Sequence, residues 1–203
     1  MAEKIIIDIY KNKNPDELTK LLADKESRLE AGSAAAMTAA SAAALFSRAA
    51  AYTAQQVKND ARLDYIVRNA EIIRNYMVYL IDEDVKSRNP LCKALKEGNE
   101  REIEAARQPA VCIAGEIINM MGQCLELMLE LAESCPQEAL HYLGEASHLA
   151  MGAIRSSRVY IVNMADQCSD ETYRFVTRRE NEISLEKYGS VYEKLNILVE
   201  EKI

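Results

Sequence analysis

Residues 28–54, RLEAGSAAAMTAASAAALFSRAAAYTA, constrain the fold more than any other stretch. Alanine dominates them and has the highest helix propensity of any residue, which rules out a flexible linker. A membrane span fits no better. Thr38, Ser41, Ser47, Arg48, Thr53 and Gln55 interrupt the run, and alanine is only weakly lipophilic. What remains is a helix from about Ser33 to Val57, whose small side chains let neighbouring backbones approach to about 8 Å. Such a helix suits the centre of a bundle; an alanine-rich surface helix is the plainer alternative. Arg48 lies deep in the run, where a guanidinium in a packed region requires an acidic partner or a polar cleft. At the mouth, Gly32 and Ser33 offer free backbone N–H groups and the positive end of the helix dipole. That arrangement holds an anion or serves as an ordinary cap.

The rest also reads as helix. KIIIDIY at the start is a short edge strand or an arm. Asn14, Pro15 and Glu17 open a first helix with a capping box. Asn59 or Asp60 caps another, along which Leu63, Ile66, Ala70, Ile73, Met77, Leu80 and Asp84 form one stripe. It should end near Asn89, because Pro90 disfavours a helical residue before it. LCKALKEGN is then a short helix closed by Gly98, and Asn99 with Glu102 opens the next. Pro109 predicts a kink or a fresh start. Residues 110–134 are apolar on most sides and should be buried. After Cys135-Pro136 a long helix runs to about Ala165. Ser169 caps a polar helix reaching about Ile183, and Ser184 begins an amphipathic one.

Long helices joined by short connections predict an all-α, antiparallel helical bundle forming a single domain over residues 1–203. Helices of about 25 to 30 residues run roughly 40 Å each. Two such apolar helices are more than one chain covers, so a homodimer is expected. Lys+Arg 25 against Asp+Glu 32 gives a net charge of −7 with no basic block, which argues against a nucleic-acid partner. No segment reads as a membrane span or signal peptide. Cys92, Cys112, Cys124, Cys135 and Cys168 are odd in number and include no C-x-x-C pair, which suits reduced thiols in the cytoplasm. His141 and His148, seven apart on one face, lack zinc-ligand spacing with Cys135, so no metal is expected.

The order of elements resembles the cyclodeaminase/cyclohydrolase family of folate enzymes, which comprises formimidoyltetrahydrofolate cyclodeaminases and methenyltetrahydrofolate cyclohydrolases. That family shows a first helix, a P-G-G-G-S loop and a long alanine-rich helix ending in L-T. LEAGSAAAMTAASAAALFSRAAAYT matches this gap-free from Leu29 to Thr53. The family's D-x-D-A-type segment resembles LIDEDVKS, with Asp82 and Asp84. Its V-P resembles Gln108-Pro109, and its S-D-V-G-x-A resembles HYLGEA, residues 141–146. Several positions depart from the pattern. Leu29, Glu30 and Ala31 replace the loop's proline and first two glycines, His141 and Tyr142 replace serine and aspartate, Arg88 stands where an aromatic residue is expected, and Arg48 where an apolar one is.

The resemblance implies a tetrahydrofolate derivative as substrate. Opening its methenyl bridge requires water to attack a cationic amidinium carbon, and a carboxylate can stabilise that cation and orient or deprotonate the water. Asp84 continues the stripe of Met77 and Leu80 and is the expected catalytic group. Its plain alternative is an ordinary ion pair with Arg88, one turn on. Asp82, about 200° around the helix, should face more polar surroundings. Gly32, Ser33, Glu30, Arg48, Asp82, Arg88, Tyr142 and Gly144 are the expected ligand-binding residues. Glu30 would occupy the helix donors itself and repel a glutamate tail. Tyr76, Tyr79 and Tyr142 could stack on a pterin, though tyrosine at a bundle rim is commoner. The alternatives are a catalytically lapsed relative that binds a small molecule or a protein, or an enzyme in which Arg48, Arg88 and Arg107 meet a more acidic ligand.

Overall fold

The computed structural model describes residues 9–203 apart from Lys58. The strand or arm read at KIIIDIY therefore lies, save its last two residues, outside the described residues. Tyr10–Asn12 form a 3-10 turn, followed by α1 (Pro15–Ala23), α2 (Ala31–Gln56), α3 (Ala61–Glu97), α4 (Glu100–Ala110), α5 (Cys112–Ala132), α6 (Gln137–Asp166) and α7 (Glu171–Lys202). No strand occurs among the described residues.

The alanine helix α2 is the central rod. It packs along α3 and α6, and more briefly against α5. Ala35, Ala36, Ala39, Ala42, Ala43, Ala49, Ala50 and the large Phe46 are all buried. Both main neighbours run antiparallel to it. Ser33 meets Asp84 and Ser47 meets Glu71 on α3, while Gln56 at the other end meets Glu138 at the start of α6. One strip of α2 stays open, with Ser41, Ala44, Arg48 and Ala51 exposed. The second apolar helix, α5, buries Ile117, Met121, Leu125 and Met128. Its Gly122 lies directly beneath the ring of Tyr188, so α7 crosses α5 at a point where no side chain fits.

Three boundaries differ from those read in the sequence. α3 does not stop before Pro90 but continues to Gly98, whose φ of 69° closes it, so LCKALKEGN is its last part. Proline removes the hydrogen bond to the carbonyl of Lys86, but Lys86 and Pro90 are both exposed, so the lost bond falls on the solvent side of the helix, where it costs least. Leu91 and Ala94, both buried, hold the remaining turns to the bundle. α7 likewise runs through Ile183 and Ser184 unbroken, since neither residue removes a backbone donor or forbids helical dihedrals. Its cap is Asp170, which accepts from Tyr173 N at 3.0 Å. Ser169 instead donates its N–H and hydroxyl to Glu104, at 2.7 and 3.0 Å. Finally, α2 begins at Ala31 with Glu30 in the cap position, so Gly32 and Ser33 sit inside its first turn rather than in a loop before it.

The run Glu100–Ala132 is long and apolar enough to cross a membrane by length and composition, which the sequence reading did not recognise. Within it 56% of the apolar window is buried against the other helices, and that burial accounts for its composition without a bilayer.

Candidate active site

Asp84 is wholly buried where the first turn of α2 crosses the middle of α3. Two features of α2 make room for it. A Cβ built on Gly32 would overlap the Asp84 carboxylate, so only glycine lets α3 come this close. Ser33, also fully buried, places its Oγ 2.9 Å from Asp84 Oδ2 and 3.0 Å from the carbonyl of Ile81. A hydroxyl has one proton to give. With Asp84 ionised it goes to Oδ2; with Asp84 protonated, Ser33 accepts from the acid and donates to Ile81. The anion that the α2 N-terminus attracts is therefore this chain's own carboxylate, buried against the positive end of the helix.

Arg88, one turn along α3, closes the other side. Its Nε lies 3.5 Å from Asp84 Oδ2, Nη1 lies 2.5 Å from Glu30 Oε2, and Nη2 donates to the carbonyl of Arg28 at 2.5 Å. The ion pair that stood as the plain alternative for Asp84 is thus present, but in the interior, with side-chain exposures of 5% for Arg88 and 0% for Asp84. Asp84 Oδ1 and Arg88 Nε have no hydrogen-bond partner among the described residues. Burial raises the Asp84 pKa above its ordinary value, more than Arg88 and the hydrogen bonds of Ser33 lower it. Burial alone would weaken the Arg88 cation, but Glu30 and Asp84 outweigh it and raise its pKa.

Tyr160 of α6, which the sequence reading did not single out, completes the wall. It lies within electrostatic reach of Arg88, Asp84 and Glu30, and burial pushes its phenol well above the ordinary range. Its hydroxyl points to the carbonyl of Ala110, 3.5 Å away at the α4–α5 junction. Ten tyrosines are spread along the sequence, so nothing in its residue type or spacing marks this one.

The other expected site residues lie elsewhere. Asp82 is buried, and its polar surroundings are backbone donors. It accepts from the backbone N–H groups of Tyr10 at 2.7 Å and Lys11 at 3.2 Å, pinning the 3-10 turn to α3. Arg48 is not deep in a packed region; it is exposed on the open strip of α2, about 22 Å along the helix from Ser33. Its guanidinium lies 4.7 Å from the ring centroid of Tyr142, which stacks on Tyr52 at 5.9 Å. Gly144 faces α7, where an added Cβ would press on Val199. The expected site residues and their neighbours therefore form two separate groups: Gly32, Ser33, Asp84 and Arg88, all buried, with Glu30 at one end of α2, and Arg48, Tyr52, Tyr142 and His141 towards the other. Tyr76 and Tyr79 stack on each other at 6.1 Å on α3, and the hydroxyl of Tyr76 donates to Glu116. That bond, with burial, pushes the Tyr76 pKa up to about 12. His148 Nδ1 meets the Tyr192 hydroxyl at 2.7 Å, and His141 lies against Tyr142.

The formiminotransferase-cyclodeaminase family profile matches residues 15–183, a span running from α1 into α7 and containing every residue of the Asp84 cluster. The chain belongs to this family. The crystal structure of formiminotetrahydrofolate cyclodeaminase from Thermotoga maritima superposes with a TM-score of 0.85 over 94% of this chain and 98% of that one. The two sequences are 20% identical, so the likeness establishes the fold. No curated protein matches by sequence. The protein is thus a folate-related, cyclodeaminase-like helical protein, and the Asp84 cluster lies within the part that the family defines.

Gly32→Ala tests the packing of this cluster. Alanine gains about 1 kcal/mol of helix propensity over glycine, while the overlap with Asp84 costs about 1–3 kcal/mol. The expected result is a lower midpoint in chemical denaturation. A raised midpoint would mean that Asp84 moves aside freely.

Proposed function

We propose that the protein acts on the one-carbon bridge of a tetrahydrofolate derivative, as a methenyltetrahydrofolate cyclohydrolase or formimidoyltetrahydrofolate cyclodeaminase, with the cyclohydrolase as the leading reaction. One observation carries the reading. The carboxylate of Asp84 is buried, braced by Ser33 and by the close approach of Gly32, and keeps one oxygen unengaged. An acid whose pKa is raised by burial is a stronger base than an exposed one, as proton removal from water requires. In the hydrolysis, Asp84 takes a proton from water as its oxygen bonds to the amidinium carbon. The carbon–nitrogen bond then breaks, the proton on Asp84 passes to the leaving nitrogen, and the hydroxyl proton of the adduct goes to solvent as the formyl C=O forms. Water addition asks less of the site than release of ammonia, which favours the cyclohydrolase. No metal is required for either step.

A specific contact favours a second reading, a relative that has lost catalysis and binds a small molecule or a protein. Arg88 places a permanent cation against Asp84, where the cationic carbon of the substrate would have to sit. The decay of methenyltetrahydrofolate absorbance with purified protein separates the two. Acceleration over buffer supports the hydrolase, and a rate equal to buffer removes it.

Two further features belong to the same proposal. A homodimer is supported by Tyr65, Ile72 and Tyr79, exposed at seven-residue intervals along α3 as in a helix seam awaiting a partner. A reducing, cytoplasmic location is supported by five cysteines that are all free thiols.

A further inference from the structure

Arg88 has three partners, and they differ in how firmly they are held. The carbonyl of Arg28 belongs to the backbone, and Asp84 is buried on the same helix. Glu30 is a side chain that reaches water, 52% exposed. Glu30 also stands in the cap position of α2 without making a cap hydrogen bond, its carboxylate being turned to Arg88 instead. Two surface clefts lie away from this cluster. One of about 240 Å³ lies between α3 and α5, lined by Tyr65, Ile72, Met120 and Leu127, and one of about 570 Å³ lies between α4 and the start of α7. Asp84 has no exposure, and on its Arg88 side it is residues 28–30 that lie over the pair.

We propose that Arg88 is a carboxylate-binding position over Asp84, that Glu30 fills it as a tethered occupant, and that a small molecule bearing its own carboxylate displaces Glu30 there and uncovers Asp84. A guanidinium is built to pair with carboxylates, and this one is buried, with Nε in no hydrogen bond and 3.5 Å from Asp84 Oδ2. A side chain two residues from the carbonyl that holds Arg88 acts at an effective concentration in the millimolar range or above. A free carboxylate must therefore compete with Glu30, and the position stays shut until a ligand supplies one. The inference rests on the Arg88 geometry and not on the folate reading.

The test uses acetate as probe. Thermal melting of the wild type, Glu30→Ala and Glu30→Ala/Arg88→Met is followed in acetate and in chloride at matched ionic strength, with hydrogen exchange of residues 28–34. Glu30→Ala should melt below the wild type and exchange about tenfold faster over 28–34. Acetate should reverse both changes in a saturable manner that chloride does not reproduce, with an apparent affinity for Glu30→Ala about tenfold tighter than for the wild type. The double variant should not respond. Equal effects of acetate and chloride, or a double variant that responds like the single one, would overturn the proposal. Glu30→Gln, which keeps the volume and loses the charge, carries the same comparison if the alanine variant does not fold. A missing acetate effect leaves the methenyltetrahydrofolate assay informative, and a negative assay leaves the acetate effect standing.

Discussion

Arg88→Ala is expected to destabilise the protein by about 3–5 kcal/mol, the usual cost of removing one partner from a buried ion pair. Asp84 would remain at zero exposure with Ser33 as its hydrogen-bond donor and no counter-charge on α3. The loss should be conditional on Asp84. In the double variant Arg88→Met/Asp84→Asn neither charge is buried, and the methionine fills most of the arginine's volume. Its stability should therefore lie well above that of Arg88→Ala. The coupling between positions 84 and 88 in a double-mutant cycle should exceed the few tenths of a kcal/mol of an exposed helical pair. Additive effects in chemical denaturation would place both side chains in solvent.

Asp84→Asn is expected to lower methenyltetrahydrofolate hydrolysis by about 10²–10⁴-fold, the usual contribution of a positioned acid–base group. Asparagine keeps the shape and can still accept from Ser33, so the fall should appear in kcat with the protein folded. An equal fall in stability would mean that the carboxylate serves packing alone. Ser33→Ala, which removes the brace and leaves the acid, should reduce kcat by less. Activity unchanged in Asp84→Asn would remove this residue from the chemistry while leaving the family membership intact.

Much of this arrangement was legible in the sequence, and the reasons are physical. Capping at Asn14 needs only residues three apart, and its capping box forms as the pattern predicts. The alanine helix declares itself by propensity, and the Met77–Leu80–Asp84 stripe follows from the helical period, so the inward direction of Asp84 could be stated without coordinates. Arg88 was visible as its i+4 neighbour, but its burial was not. That depends on the backbone of Arg28, which only the α1–α2 connection brings across. The burial of Asp82 was missed because helical angle alone cannot see the 3-10 turn that covers it. Arg48 was misplaced because an alanine helix in the middle of a bundle still leaves one strip open, and the sequence does not say which. Motif order suggested one cleft containing Arg48, Tyr142 and Gly144 together with Asp84. An antiparallel α2–α6 pair instead sends residues 141–146 to the far end of α2.

The pH dependence of unfolding, measured for the wild type and Asp84→Asn in parallel, tests most directly whether the carboxylate is held inside as described. The difference between the two cancels the other titrating groups. Asp84 has a higher pKa folded than unfolded, so between the two values the folded state keeps a proton that the unfolded chain has released. The stability of the wild type relative to Asp84→Asn should therefore fall as pH rises from about 4 through the folded pKa, and then level off. A flat difference would put Asp84 in contact with water. A difference that rises with pH would mean that Arg88 and Ser33 outweigh burial, contradicting the account of a desolvated base.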